Sequence, residues 1–296
     1  MADTALSLPA EAKVTRAAAQ GRRHRSPVRW IILAILVFIL LATLFPFFLA
    51  IVNAIKSGVD YATNGPLALP HELDFTALQE FWNATDYSRK LLNSAIISGC
   101  VAVFAVLISL LNAYAIGIGK VRGGKWILVI LLMGIMVPQE SIVYPLYYMS
   151  KAVGLYDTML AVIIIFSVLH SAFGTYLLSA VLTAFPREIL EAAEIDGAGR
   201  WQVLWYVVVP VLRPTLMVLA TFFFIWTWNE FLIPLVLLIS NNNQTVSVAM
   251  GLLQGQNTSD PVLIAAASLL GILPTIIFFL IFQRTLTKGV VVGAIK

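Results

Sequence analysis

The chain has 296 residues, of which 60% are hydrophobic and only 11% charged, with a net charge of +4. Soluble domains carry roughly a quarter charged residues, and a chain with a mean hydropathy of +0.90 lacks the polar surface to stay dispersed in water. A soluble enzyme, a nucleic-acid module and a disordered tail are excluded, which leaves a protein of the lipid bilayer.

Residues 1–29 are a basic tail carrying Lys13, Arg16, Arg22, Arg23, Arg25 and Arg29. The apolar run behind it, 30–55, far exceeds the about 7–15 residues of a signal-peptide core, so it reads as a retained first helix. Five more apolar runs follow at 91–117, 126–149, 158–184, 213–239 and 261–283. Each is long enough, at about 20 residues or more, to cross a bilayer. The predicted fold is therefore an all-α membrane protein, a bundle of six transmembrane helices over residues 30–283.

Basic residues orient it. Alternate connections hold Lys120, Arg122 and Lys125, then Arg187, Arg200 and Arg213, and the end 284–296 holds Arg284, Lys288 and Lys296. With the N-terminal tail, that side has fifteen of the 19 Lys and Arg, against Lys56, Arg89, Lys90 and Lys151 opposite. The positive-inside rule then puts both termini in the cytoplasm. The first outside loop carries Asp60, Glu72, Asp74, Glu80 and Asp86 together with Phe75, Phe81 and Trp82, and reads as a small folded cap. No cofactor or metal site is read in this chain. Cys100 is the single cysteine, and His24, His71 and His170 lack ligand spacing. Residues 119–125 imitate a phosphate-binding loop, but Trp126 replaces the required hydroxyl and no strand precedes it, so they read as a basic turn.

The fourth connection, 187–210, is too long for a simple turn. Glu188 and Glu191 suit a helix start and Gly197 a helix stop, which predicts a short helix over 187–196. Glu188, Glu191 and Glu194 share one face at three-residue spacing. Trp201, Leu204, Trp205 and Val208 predict an apolar stripe on a second short helix. Two helices joined at a glycine make a projecting cytoplasmic elbow.

This elbow resembles the EAA motif of ABC importer membrane subunits: Glu191-Ala192-Ala193, then Gly197, Val207, Val209 and Pro210 at the family's spacing. Val207 and Val209 stand where the pattern has Ile and Leu. Asn93-Ser94, Pro138, Pro145, Gly154-Leu155, Asp196-Gly197-Ala198 and Trp228-Asn229-Glu230-Phe231 are similar to the carbohydrate-uptake branch, and the six-span form to the second permease of maltose-type importers.

The resemblance implies a non-enzymatic permease subunit in a prokaryotic inner membrane. It implies a second permease, two ATPase subunits that bind ATP and Mg²⁺, and an extracytoplasmic sugar-binding protein as partners. Docking on the ATPase falls to Glu191, Ala192, Ala193, Glu194, Asp196, Gly197, Val207, Val209 and Pro210. The outside loop at Gln254, Gly255, Gln256, Asn257, Thr258 and Ser259 matches one that reaches into the binding protein. Within the cytoplasmic tail 284–296, residues 287–296 show no helical pattern; they would contact the ATPase pair, and a disordered end is the competing reading.

Glu140 and Glu230 lie inside predicted spans, where an ionisable group is a functional candidate by default. With Trp228 and Asn229 they are the pathway candidates; structural packing is the alternative for each. His170 reads as a satisfied interior histidine. The remaining function classes are an importer of a non-sugar solute and an ion-coupled carrier, which would bring more spans and an internal repeat.

Overall fold

Backbone in lipid must satisfy its own hydrogen bonds, so apolar runs fold as helices. The computed structural model describes residues 27–256 and 260–294, and every regular element among them is helical. The chain divides into two units, residues 1–46 and 47–296. The division falls at Pro46, inside α1 (Pro27–Ala54).

The second unit begins with the end of α1 and two short helices, α2 (Gly58–Asn64) and α3 (Thr76–Ala84). The buried Lys56 donates to the Gly65 carbonyl at 2.9 Å, and Asp74 N–H donates to Ile55 O at 3.0 Å. These bonds fold the first connection back on itself.

At the centre lie α4 (Tyr87–Gly117) and α7 (Met159–Thr183), neither of which contains proline. Ile97 packs in one cluster with Phe166. Ser109 Oγ reaches Ser171 O at 3.2 Å, and Gly117 lies against Leu182. Both helices therefore run in the same direction. Serine, alanine and glycine line their contact, as in membrane helices that gain by close backbone approach. Gly174 is the tightest point, because an added Cβ there would lie 2.2 Å from Ser109 Oγ.

The expected third span is not one helix. α5 (Gly124–Met136) and α6 (Gln139–Ala152) meet at 98°. Pro138 forces the break: it lacks an N–H and pushes Val137 out of helical geometry, to ψ 123°. Thirteen residues of α5 rise only about 20 Å, short of the roughly 30 Å hydrocarbon core. Five helices among the described residues are long and apolar enough to cross a membrane, and the bent pair makes a sixth if it is one span.

The fifth span also departs from expectation. After α8 (Arg187–Ile195), α9 (Arg200–Gln202) runs through a π turn at Val203–Val208 into α10 (Val209–Asn229). The span is Arg200–Asn229 rather than 213–239, and the elbow's second helix is its first turns. The π turn explains this. Val209 N–H donates to Leu204 O, and this wider turn accommodates Pro210, which has no N–H of its own to offer. The widening keeps residues four apart on one face, so Val203, Leu204, Val208 and Leu212 are buried. Trp201 and Trp205 are 67% and 43% exposed, so the predicted stripe is corrected to this set.

Beyond α10, α11 (Leu232–Leu237), a 3₁₀ turn at Asn241–Asn243 and α12 (Val246–Gln256) lead to α13 (Pro261–Ala294). No proline follows Pro274 in α13, and the helix continues to Ala294, into the stretch from Thr287 where no helical pattern is read. Phe81, Tyr87, Trp228, Val246, Leu253, Leu263 and Ala267 form a core at this end of the bundle. Tyr87 OH adds a 2.7 Å bond to Leu270 O.

Candidate functional site

The elbow is fixed by backbone chemistry. Pro186 precedes α8, Glu188 occupies its first turn, and Asp196 caps its C-terminus. Gly197 adopts φ +77°, a left-handed conformation that glycine takes without penalty. Ala198 N–H then reaches Ala193 O and Gly197 N–H reaches Glu194 O, both at 3.0 Å. Those two bonds are the Schellman arrangement, which closes the last carbonyls of a helix. Ala193 and Ala198 pack on one cluster with Phe185, Val203, Leu204 and Val208. α8 is thereby held against the ends of its neighbours.

The nine residues matched to the motif separate into two groups. Glu191, Ala192, Glu194, Asp196 and Gly197 are exposed along α8 and its turn. Nothing lies within 4 Å of where a Gly197 Cβ would point. Ala193 is buried, so its small size lets α8 approach its own bundle and not a partner. Val207 and Val209 are half-buried against that cluster, and Pro210 sits in the continuing helix. These three form the elbow's base, not its tip.

Beside α8 lies a recess of about 430 Å³, with Tyr114, Lys120, Arg187, Glu191, Glu194 and Arg200 among its lining. Tyr114 OH donates to Arg200 O at 2.9 Å and ties α4 to the elbow. The ion pairs among the described residues are His71–Asp60 and Arg89–Asp86, so the recess charges of both signs are unpaired. Glu188 does not line it. Sequence reasoning missed Lys120 and Arg200 here, although the basic run 119–125 was the available signal.

A second cleft, of about 620 Å³, opens where α5, α6, α7 and α10 converge. Gln139, His170, Trp226, Asn229 and Glu230 supply its polar and aromatic lining. Glu230 is not inside a span helix: it caps α10 with ψ 133° and is half-buried. Asn229 Nδ2 donates to Ile225 O at 2.8 Å. Glu140 stands in the first turn of α6, exposed, next to the lining residue Gln139. Trp228 is 4% exposed and packed against Phe224 and Phe278, so it has no free face for a sugar. Trp226, 41% exposed, is the tryptophan that lines this cleft. His170 is buried between Phe166 and Phe223 and meets Thr227 Oγ1 at 3.2 Å, a satisfied interior group.

The expected outside loop is mostly helix. α12 extends through Gln254, Gly255 and Gln256, with Val248, Ala249 and Leu253 buried. Asn257, Thr258 and Ser259 lie outside the described residues, as do residues 1–26 of the basic tail and the last two residues of 284–296. Asp157, between α6 and α7, meets the start of this segment. Desolvation alone would raise its pKa, but bonds from the Ser240 hydroxyl and N–H and from Asn243 outweigh that and hold it below the ordinary carboxylate value.

Residues 115–292 match the family model described as binding-protein-dependent transport system inner membrane component. The chain is 26% identical to the melibiose/raffinose/stachyose import permease protein MelC of Bacillus subtilis (strain 168) over 276 residues, 93% of this chain and 99% of that protein. Its fold is similar to a chain in the crystal structure of a bacterial ABC transporter involved in the import of the acidic polysaccharide alginate. The TM-score is 0.74 at 22% identity, over 87% of this chain and 96% of that one. A chain from the bacterial alginate transporter in complex with alginate pentasaccharide-bound periplasmic protein gives a TM-score of 0.61 at 16% identity. That match covers 88% of this chain and 96% of the other.

Proposed function

The chain belongs to the family of binding-protein-dependent transport inner membrane components, and on that premise we propose that it is one permease of an ATP-driven sugar importer. The observation that carries the reading is the glycine-locked α8, whose exposed face and recess present unpaired charges of both signs. A lipid-lying helix would turn an apolar face outward, and anionic lipid would repel the glutamates. An ATPase subunit that pairs these charges fits better.

Substrate class follows from the relatives, a permease for melibiose, raffinose and stachyose and an importer of alginate. Fifteen of 19 basic residues on one side support cytoplasmic termini in a prokaryotic inner membrane. In this reading a second permease completes the path, two ATPases bind ATP and Mg²⁺ below, and a sugar-loaded binding protein docks on the opposite end. ATPase closure moves α8, and the helices joined to it open the path outward. Asn229 and Glu230 line the path at the cleft, with Gln139 and Trp226, and Glu140 stands beside it. Residues 254–259 take the role of contacting the binding protein, and 287–296 that of contacting the ATPases.

Gentle purification of the tagged chain from its own membrane, with mass identification and stoichiometry, tests the assembly. The expected complex has one second permease and two ATPase copies. A lone or self-associated chain contradicts the reading and favours an ion-coupled carrier.

A further inference from the structure

The segment between α11 and α12 has almost no backbone ladder of its own, yet side chains hold it from two sides. From α4, Lys90 Nζ donates to Asn241 O and, at 2.7 Å, to Asn241 Oδ1. Asn93 Nδ2 donates to Asn242 O at 2.8 Å and Gln244 O at 2.9 Å. Ser94 Oγ accepts Val246 N–H at 2.9 Å, and Arg89 reaches Asn242 Oδ1 at 3.0 Å. From the other side Asp157 accepts from Ser240 N–H and its hydroxyl, and Asn243 donates to Asp157 O at 2.6 Å.

Lys90 is fully buried, and its Nζ is satisfied by oxygens of one residue and not by an acid within ion-pair distance. Burying an ammonium is costly unless its donors are met, and bonds from a charged donor are about twice as strong as neutral ones. Such a group anchors what it touches. It touches the entrance to α12, which leads into 257–259.

The opposite end of the same helix meets the elbow, through Tyr114 OH on Arg200 O. The 31 residues of α4 contain no proline and span about 46 Å. A π turn interrupts the helix leading into α10, which contains Pro214, α13 contains Pro274, and α5 and α6 are broken at Pro138. α4 is thus an unbroken rod that bonds to the elbow at one end and to the base of the opposite surface segment at the other.

We propose that Lys90, with Asn93 and Ser94, is a positioning residue that ties the 240–256 segment to α4, so that binding-protein contact and the ATPase elbow move as one body. This rests on the reading that the two ends of the chain meet the binding protein and the ATPase. Substitution of Lys90 would leave the elbow and its docking intact. It would free the segment from the rod.

The test uses the whole complex in proteoliposomes, titrated with sugar-loaded binding protein, comparing the native chain with Lys90→Met. The expected result is that the binding-protein concentration for half-maximal ATPase stimulation rises about tenfold, in keeping with the loss of a bond from a charged donor. Basal ATPase and subunit stoichiometry stay at native values. Lys90→Met combined with Asn241→Ala should be no worse than Lys90→Met, since both act through one bracket. A native titration curve overturns the proposal, as does an equal fall in basal and stimulated rates, which would mark a merely structural residue. If Lys90→Met does not assemble, Ser94→Ala carries the same comparison with the same two outcomes. Failure of the importer reading looks different: the native complex itself would show no stimulation.

Discussion

Replacing Gly197 with Asp is expected to abolish uptake while leaving the chain folded in the membrane. Gly197 sits at φ +77° with open space where its Cβ would point. Aspartate is among the side chains that best tolerate left-handed backbone, so the α8 turn survives. What changes is the surface, which gains a side chain and a negative charge on the face proposed to dock the ATPase. A misfit at the centre of such an interface costs about 2 kcal/mol or more, a factor of about thirty in affinity. Membrane level and protease pattern should match the native chain, ATPase subunits should be missing from the purified complex, and uptake should be lost. Native uptake would remove α8 as the docking element.

The second large effect is expected at Gly174, and it is a packing effect. Even a Cβ there would stand 2.2 Å from Ser109 Oγ, 2.8 Å from Ser109 Cβ and 3.0 Å from Phe223 Cζ. Gly174→Leu must push α4 from α7 at their closest point. Overpacking a tight core costs about 1–3 kcal/mol and occasionally more, and a membrane helix pair has no hydrophobic drive to recover it. The folded chain should largely disappear from the membrane. Gly174→Ala should be milder and be rescued by Ser109→Gly, because the two nearest clashing atoms belong to Ser109. A Ser109→Gly/Gly174→Ala double variant no more stable than Gly174→Ala alone would show that the contact does not set the packing.

Individual residues show which parts of this were legible in the sequence. Gly197 was, because a left-handed stop after an acidic short helix has one economical solution, the Schellman turn at Ala193 and Glu194. The long apolar runs of α4 and α7 were, because their length and composition alone require a crossing helix. Prolines were harder to read. Pro138 turned one expected span into two helices at 98°, whereas Pro210 and Pro214 lie within the fifth span without ending it. The difference lies in whether a π turn or neighbouring helix can take up the missing bond, which is a tertiary matter.

The same cause displaced side chains. The π turn rotated Trp201 and Trp205 outward and Val203 inward, and no 3.6-residue template registers that. Trp228 looked available to a sugar only because the sequence does not place Phe278 against it. The recess at Lys120 and Arg200 joins residues some eighty positions apart, and the Lys90 bracket joins residues about 150 apart. Such pairings leave no local pattern. The shared exposed face of the glutamates on α8 did follow from spacing alone.

The most direct measurement is a proximity cross-link from the elbow inside the assembled complex. Cys100 is the single cysteine and is half-buried, so Cys100→Ser provides a thiol-free background. Ile195→Cys, at a position 86% exposed at the end of α8, is labelled with a thiol-reactive photo-cross-linker in native membranes. Leu69→Cys, 67% exposed between α2 and α3, is the control. The account predicts a light-dependent adduct of this chain with the ATPase subunit from position 195 and none from position 69. No ATPase adduct from position 195, or equal adducts from both positions, would contradict it.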